Sequence, residues 1–163
     1  MDLYLVRHAI AEDPDGATWP DDSKRPLSDR GVKRFRKGAR GLTDFVPEVD
    51  IVLASPYERA RHTALLLHEA GWPAAAPCPE LAGGEPGALL RALQPYAQAG
   101  SVALVGHEPH LSRFAAALLG LPRPPWSELN RGGVLCVRLP QLGLANGAEL
   151  RWLLTPRVLR ALS

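Results

Sequence analysis

Three short segments of this 163-residue chain carry side chains suited to gripping and attacking an anion. Arg7-His8 closes the apolar run Leu3-Tyr4-Leu5-Val6. Arg59 follows the turn-forming Ser55-Pro56 and Glu58, and His107 follows Gly106 at the end of the apolar run 101–105. Arginine offers a planar fork of donors that holds phosphate in two-point fashion. An imidazole aimed at phosphorus can attack it, giving a phosphohistidine that water then hydrolyses. The attacking nitrogen must be unprotonated, and a backbone carbonyl accepting from the other ring nitrogen would fix that tautomer. A second imidazole, His107, can stay protonated beside the arginine-bound oxygens and donate to them. One Arg-His pair at a strand end, taken alone, is better read as a surface cation beside a capped ring. Recurrence at three strand ends points instead to one site for a dianionic oxyanion, with its charge neutralised as phosphoryl transfer requires.

The elements that would position these groups alternate along the chain. The first strand is expected over Asp2 to Val6, apolar on both faces, and residues 11–27, with Asp, Gly and three prolines, form a loop. Ser28 starts a helix with Asp29 in its first turn and the stripe Val32, Phe35, Ala39 and Leu42 facing inward. A second strand, Ile51 to Ala54, leads into a helix with Ser55 as N-cap, Pro56 at its first position and Glu58 at its third, a capping box. Ala60, Ala64 and Leu67 supply its buried stripe, and Gly71 and Pro73 end it. Residues 72–87 form an irregular connection with a short strand before Glu80. A helix follows over about Pro86–Ala99, kinked near Pro95, then a third strand at Ser101–Val105 and a helix opened by Pro109. Val134–Leu139 and Glu149–Leu154 complete a hairpin around Asn146-Gly147 at the sheet edge. This alternation calls for a layered α/β fold with a mainly parallel sheet, in which ligands bind at the carboxyl ends of the strands.

Composition sets bounds on the alternatives. Hydrophobic content of 46% with 22% charged residues is ordinary for one globular domain of this length. A net charge of +2 gives no footprint for nucleic acid. Cys78 and Cys136 form neither a disulfide framework nor a metal-type spacing. No apolar stretch approaches the roughly 20 residues that cross a bilayer, and no signal-peptide pattern precedes the first strand, so no membrane partner and a cytoplasmic location are expected. His107 and His110 stand three apart, but no carboxylates accompany them at ligand spacing and two arginines would repel a divalent cation, so no metal and no cofactor are expected. Lys33, Arg34, Arg36, Lys37 and Arg40 make one helix face basic, ordinarily a solvated surface, or else a face that attracts an acidic partner.

The motifs also resemble a known family. Leu-Val-Arg-His at 5–8, Ala-Ser-Pro-Tyr-Glu-Arg-Ala at 54–60 with Thr63, and Gly-His-Glu-Pro at 106–109 are similar, in order, to the signature segments of the histidine phosphatase (phosphoglycerate mutase-like) superfamily. Arg25-Pro26-Leu27-Ser28 with Gly31, and Trp152 with Thr155-Pro156-Arg157, resemble its SixA-like phosphohistidine phosphatase branch. The resemblance implies a phosphoglycerate mutase-like three-layer α/β/α sandwich with one antiparallel edge strand, residues 1–163 forming a single histidine phosphatase domain. It implies that His8 is the nucleophile and that Arg7, Arg59 and His107 bind the phosphoryl group. Larger relatives carry an acid that protonates the leaving group, a role for which Glu80 is the first positional candidate and Glu85 the second. A phosphohistidine leaving group demands little of such an acid. Ala9 stands where many relatives have glycine, so the backbone after His8 should keep an ordinary conformation. His62 stands where Gln is frequent before the Thr. The expected activity is phosphatase action through a phosphohistidine intermediate without metal. Its substrate would be a phosphorylated protein such as a phosphorelay domain or, alternatively, a small phosphomonoester. A non-catalytic phosphate-binding module is the remaining reading.

Overall fold

Apolar side chains on both faces of the strands dictate the architecture. The computed structural model describes residues 1–163. Strand β1 spans Asp2–Arg7, β2 Ile51–Ala54, β3 Ala76–Pro77, β4 Ser101–Gly106, β5 Val134–Arg138 and β6 Glu149–Leu154. They form one sheet in the order β3-β2-β4-β1-β5-β6. Because side chains alternate across a strand, Leu3 and Leu5 face one core with Val102 and Leu104, while Tyr4 and Val6 face the other with Ala103 and Val105. Helices α1 (Asp29–Phe45), α2 (Glu58–Glu69) and α5 (Pro156–Ala161) cover the second face through Phe35, Leu42, Leu67 and Leu159. Helices α3 (Pro86–Leu93) and α4 (His110–Leu118) cover the first through Leu89, Leu93 and Phe114. The layered α/β arrangement expected from the alternation is the observed one, in the three-layer α/β/α form that the family resemblance implies.

Strands β1, β2, β3 and β4 run parallel, and β5 is antiparallel to both β1 and β6. The reversed strand therefore lies one place in from the edge, with β6 outside it. Helix α1 begins as expected, with the Ser28 hydroxyl accepting from the Gly31 N–H at 3.0 Å. Helix α2 does not. It starts at Glu58 with Tyr57 as N-cap and no side-chain cap; the Ser55 hydroxyl accepts from the Tyr57 N–H at 3.3 Å and meets the His107 ring at 2.8 Å. Helix α5, absent from the sequence expectation, starts at a Thr155 cap with Pro156 in its first turn. That is a start signal of the standard kind, but the run behind it is only six residues long.

Helices α1 and α5 meet backbone to backbone. A Cβ at Gly41 would lie 1.9 Å from the Leu159 carbonyl oxygen, far inside van der Waals contact. Gly41→Ala is expected to destabilise the protein by about 1–3 kcal/mol through overpacking. The measurement is the urea midpoint, with an unchanged midpoint counting against so close an approach.

Candidate active site

The sheet register carries the three segments to one place. Arg7 pairs with Gly106 across β1 and β4, and Ala54 pairs with Val105 across β2 and β4. The ladder continues one residue further: His8 N–H donates to the Gly106 carbonyl at 3.0 Å and Ser55 N–H to the Val105 carbonyl at 2.9 Å. His8, Ser55 and His107 thus leave three adjacent strands side by side. The His8 and His107 ring centroids are 5.1 Å apart. Arg59 enters from the first turn of α2, tied to the segment after His8 by Thr63. The Thr63 hydroxyl donates to the Arg59 carbonyl at 2.7 Å, four residues back on the helix, and accepts from the Ala9 N–H at 3.0 Å.

His8 is buried, with Nδ1 2.7 Å from the Ala9 carbonyl oxygen. A carbonyl only accepts, so Nδ1 carries the proton and Nε2 keeps its lone pair. Burial lowers the imidazole from the ordinary 6.5 to about 4, against the Ala9 carbonyl and with help from the charges of Arg59, Arg7 and Arg25. Ala9 has no positive φ, as expected for an alanine at this turn. His107 is also buried, Nε2 lying 2.8 Å from Ser55 Oγ while Nδ1 has no partner. Burial, His8 and Arg59 bring it down to about 3. In the unliganded protein His107 is therefore neutral at physiological pH. The cations that would hold an anion also disfavour a third positive charge among them.

Both depressed imidazoles make a stability prediction. The unfolded chain binds these two protons near pH 6.5, whereas the folded chain takes them up only near pH 4 and pH 3. The contribution is fully present above pH 6.5 and is lost as the pH falls toward those values. Unfolding at pH 5 is expected to take up protons, a result to be read by calorimetry in buffers of different ionisation enthalpy. Proton release at that pH would contradict the burial of the two rings.

The arginines are held by residues the sequence did not single out. Arg7 donates from Nη1 to the Leu129 carbonyl and lies 3.5 Å from a Glu128 carboxylate oxygen, with Nε buried and unpartnered. Arg59 donates from Nη1 to the Asp22 carbonyl at 2.8 Å and from Nη2 to the Asp22 carboxylate at 3.0 Å. Its guanidinium carbon lies 5.0 Å from the Tyr57 ring centre, and that ring is 5.0 Å from His107. The same Asp22 carboxylate accepts from Arg25 Nε at 2.7 Å. A carboxylate from the β1–α1 loop thus occupies the Arg59 fork, the place an anionic ligand would take. Because Asp22 is half-exposed, its pair with Arg59 carries only the modest worth of a solvated one. Asp22→Asn is expected to tighten the binding of inorganic phosphate about twofold to fivefold, measured by calorimetric titration. Weaker binding would make Asp22 a support of the fork and not a competitor for it.

Of the acid candidates, Glu80 lies in a single 3-10 turn, Pro79–Ala82, packed on the end of β4 through Leu81. One of its carboxylate oxygens accepts from the Cys78 thiol at 3.3 Å. Glu85 is exposed at the start of α3. His110 turns its ring toward Gly83, and His68 bonds the Trp72 carbonyl through Nδ1 at 2.8 Å. His62 lies on α2, lining a groove with Ala64 and Leu65. No three His, Cys, Asp or Glu side chains gather at metal-binding range. Among the residues missed, Thr63 and Ser55 were readable as polar neighbours inside a motif. Asp22, Tyr57 and Leu129 carried no signal beyond lying in loops.

Comparisons with known proteins bear on this geometry. The model for the histidine phosphatase superfamily (branch 1) matches residues 3–82, which include Arg7, His8, Arg59 and Glu80 but stop short of His107. An uncharacterized protein of Picosynechococcus sp. is 32% identical over 145 residues, 85% of this chain and 85% of that protein. The structure of the protein histidine phosphatase SixA complexed with tungstate matches with a TM-score of 0.83 at 27% identity, over 98% of this chain and 99% of that one. The putative phosphohistidine phosphatase SixA from Agrobacterium tumefaciens matches with a TM-score of 0.77 at 22% identity, over 95% and 98%.

Proposed function

The chain belongs to the histidine phosphatase superfamily and is a phosphatase, and from that premise we propose that it removes phosphate from phosphohistidine on a protein, with His8 as nucleophile. The observation that carries the chemistry is the His8 Nδ1–Ala9 carbonyl bond at 2.7 Å, which leaves the Nε2 lone pair free. Arg7 and Arg59 grip the phosphoryl oxygens, Asp22 being displaced as they arrive. The His8 Nε2 lone pair forms a bond to phosphorus as the bond from phosphorus to the substrate's ring nitrogen breaks. The leaving imidazole takes its proton from solvent or from Glu80. Water then attacks phosphorus, the bond to Nε2 breaks, inorganic phosphate leaves, and the water's proton passes to solvent. His107, held by Ser55, lies against the phosphoryl group. The bound dianion raises its proton affinity, so it can become a donor in the complex.

The choice of substrate draws its support from the near-complete mutual coverage with the SixA structure at 27% identity. This chain has no room for long insertions that would roof the pocket, and an unroofed pocket admits a phosphorylated side chain projecting from a protein. The test is a competition between a histidine-phosphorylated protein and small phosphomonoesters, compared by kcat/KM. At least a tenfold preference for the protein is expected. Equal or reversed preference would replace this reading with a small-molecule phosphatase.

A further inference from the structure

On the side of the sheet covered by α1 and α5, immediately beyond the segment that carries His8, lies a cavity of about 390 Å³. That falls in the range of about 300–1,000 Å³ of small-ligand sites and exceeds what one oxyanion fills. Ile10 and Phe35 contribute apolar lining. Arg34 from α1, Arg157 and Arg160 from α5, and Arg131 from the loop before β5 also line it, with no Asp or Glu among the lining residues. None of these four arginines takes part in any of the protein's ion pairs, whereas Arg7, Arg25, Arg36, Arg59, Arg61, Arg138 and Arg151 all do. The chain's formal net charge is +2, so this one cavity gathers more positive charge than the whole protein carries. Burial and the neighbouring charges of Arg34 and Arg157 hold Arg160 below the usual arginine range, a repulsion that a bound anion would relieve.

We propose that this cavity docks an acidic segment of the phosphorylated protein substrate, holding carboxylates beside the phosphoryl group at His8. The inference rests on the phosphohistidine-protein reading above. Ala9 and Ile10, which line the cavity, directly follow His8 in the chain. A substrate whose phosphoryl group sits at His8 therefore reaches the cavity with its adjoining surface. Exposed Lys33 and Lys37 continue the positive surface along α1 outside the cavity, a surface that a small anion would leave unused and an acidic protein face would cover. Charge complementarity of this kind sets partner choice and encounter rate.

The test uses the full chain with Arg34→Glu/Arg157→Glu, both away from His8, and with Arg160→Ala as an independent variant, each checked for wild-type circular dichroism. Turnover of p-nitrophenyl phosphate is expected to stay within twofold of wild type. KM for a histidine-phosphorylated protein is expected to rise about tenfold or more in the double variant, with kcat little changed. Wild type is expected to bind a fluorescent hexaglutamate peptide in a salt-sensitive manner, and the variants to lose that binding. Unchanged KM for the protein in both variants would overturn the proposal. So would parallel losses on both substrates, or a cavity that takes pyrophosphate but not hexaglutamate. If wild type dephosphorylates no histidine-phosphorylated protein, the substrate reading fails, and the hexaglutamate titration still decides whether the cavity accepts an acidic chain.

Discussion

His8→Ala is expected to lower turnover by on the order of 10⁴ to 10⁶, the scale seen when a nucleophile or its partner base is removed from an enzyme. The loss follows from where the lone pair is. With Nδ1 committed to the Ala9 carbonyl, Nε2 is the free nitrogen of a ring that stays neutral down to about pH 4. The other imidazole of the pocket, His107, has its Nε2 held at the Ser55 hydroxyl and its Nδ1 buried, and the arginines stay protonated. Incubation with a phosphodonor should leave an acid-labile phosphate on wild type and none on the variant. Turnover retained to within tenfold by His8→Ala would remove the covalent mechanism and leave a binding module or direct attack by water.

Arg59→Lys is expected to cost about 10² to 10³ in kcat/KM, although the charge is kept. The guanidinium here uses two nitrogens at once, at 2.8 and 3.0 Å from Asp22, and it leans on the Tyr57 ring. An ammonium on a flexible stem reproduces neither the fork nor the stacking. Thr63 holds the Arg59 backbone and not the guanidinium, so the helix should stand and the melting temperature should move little. A large fall in melting temperature with kcat/KM preserved in the remaining folded protein would assign Arg59 to structure instead.

The layered fold was legible because each strand near the site is a short apolar run broken by a polar residue, and Arg7, His8 and His107 sit at those breaks. A strand end is also where a ligand crevice opens, so position and chemistry pointed the same way. The start of α2 was misplaced for a physical reason. Ser55-Pro56-Tyr57-Glu58 has the composition of a capping box, but the Ser55 hydroxyl sits 2.8 Å from the His107 ring, 52 residues away, and local rules cannot register that competition. The clamp of Asp22 on Arg59 was hidden likewise, since it joins residues 37 apart through an irregular loop. The lowering of His107 to about 3 depends on the burial and charge around it, which neither residue type nor spacing encodes. The four-arginine cavity draws from α1, α5 and the loop before β5, so only Arg34, on the basic helix face, hinted at it.

The place of β1 in the middle of the sheet has a consequence for how the protein is made. Its partners are β4 and β5, so Asp2 pairs with Ser101 on one side and Arg138 on the other. At about 5–20 residues per second of synthesis, the strand bearing Arg7 waits on the order of ten seconds before both neighbours exist. More than half of the chain, all of residues 8–100, must be translated before β1 meets its first partner β4, and β5 follows only at Val134–Arg138. Pairings this distant in sequence also make for slow folding. The pocket is therefore among the last features to form on the nascent chain, and phosphatase activity should appear only after release of the completed sheet.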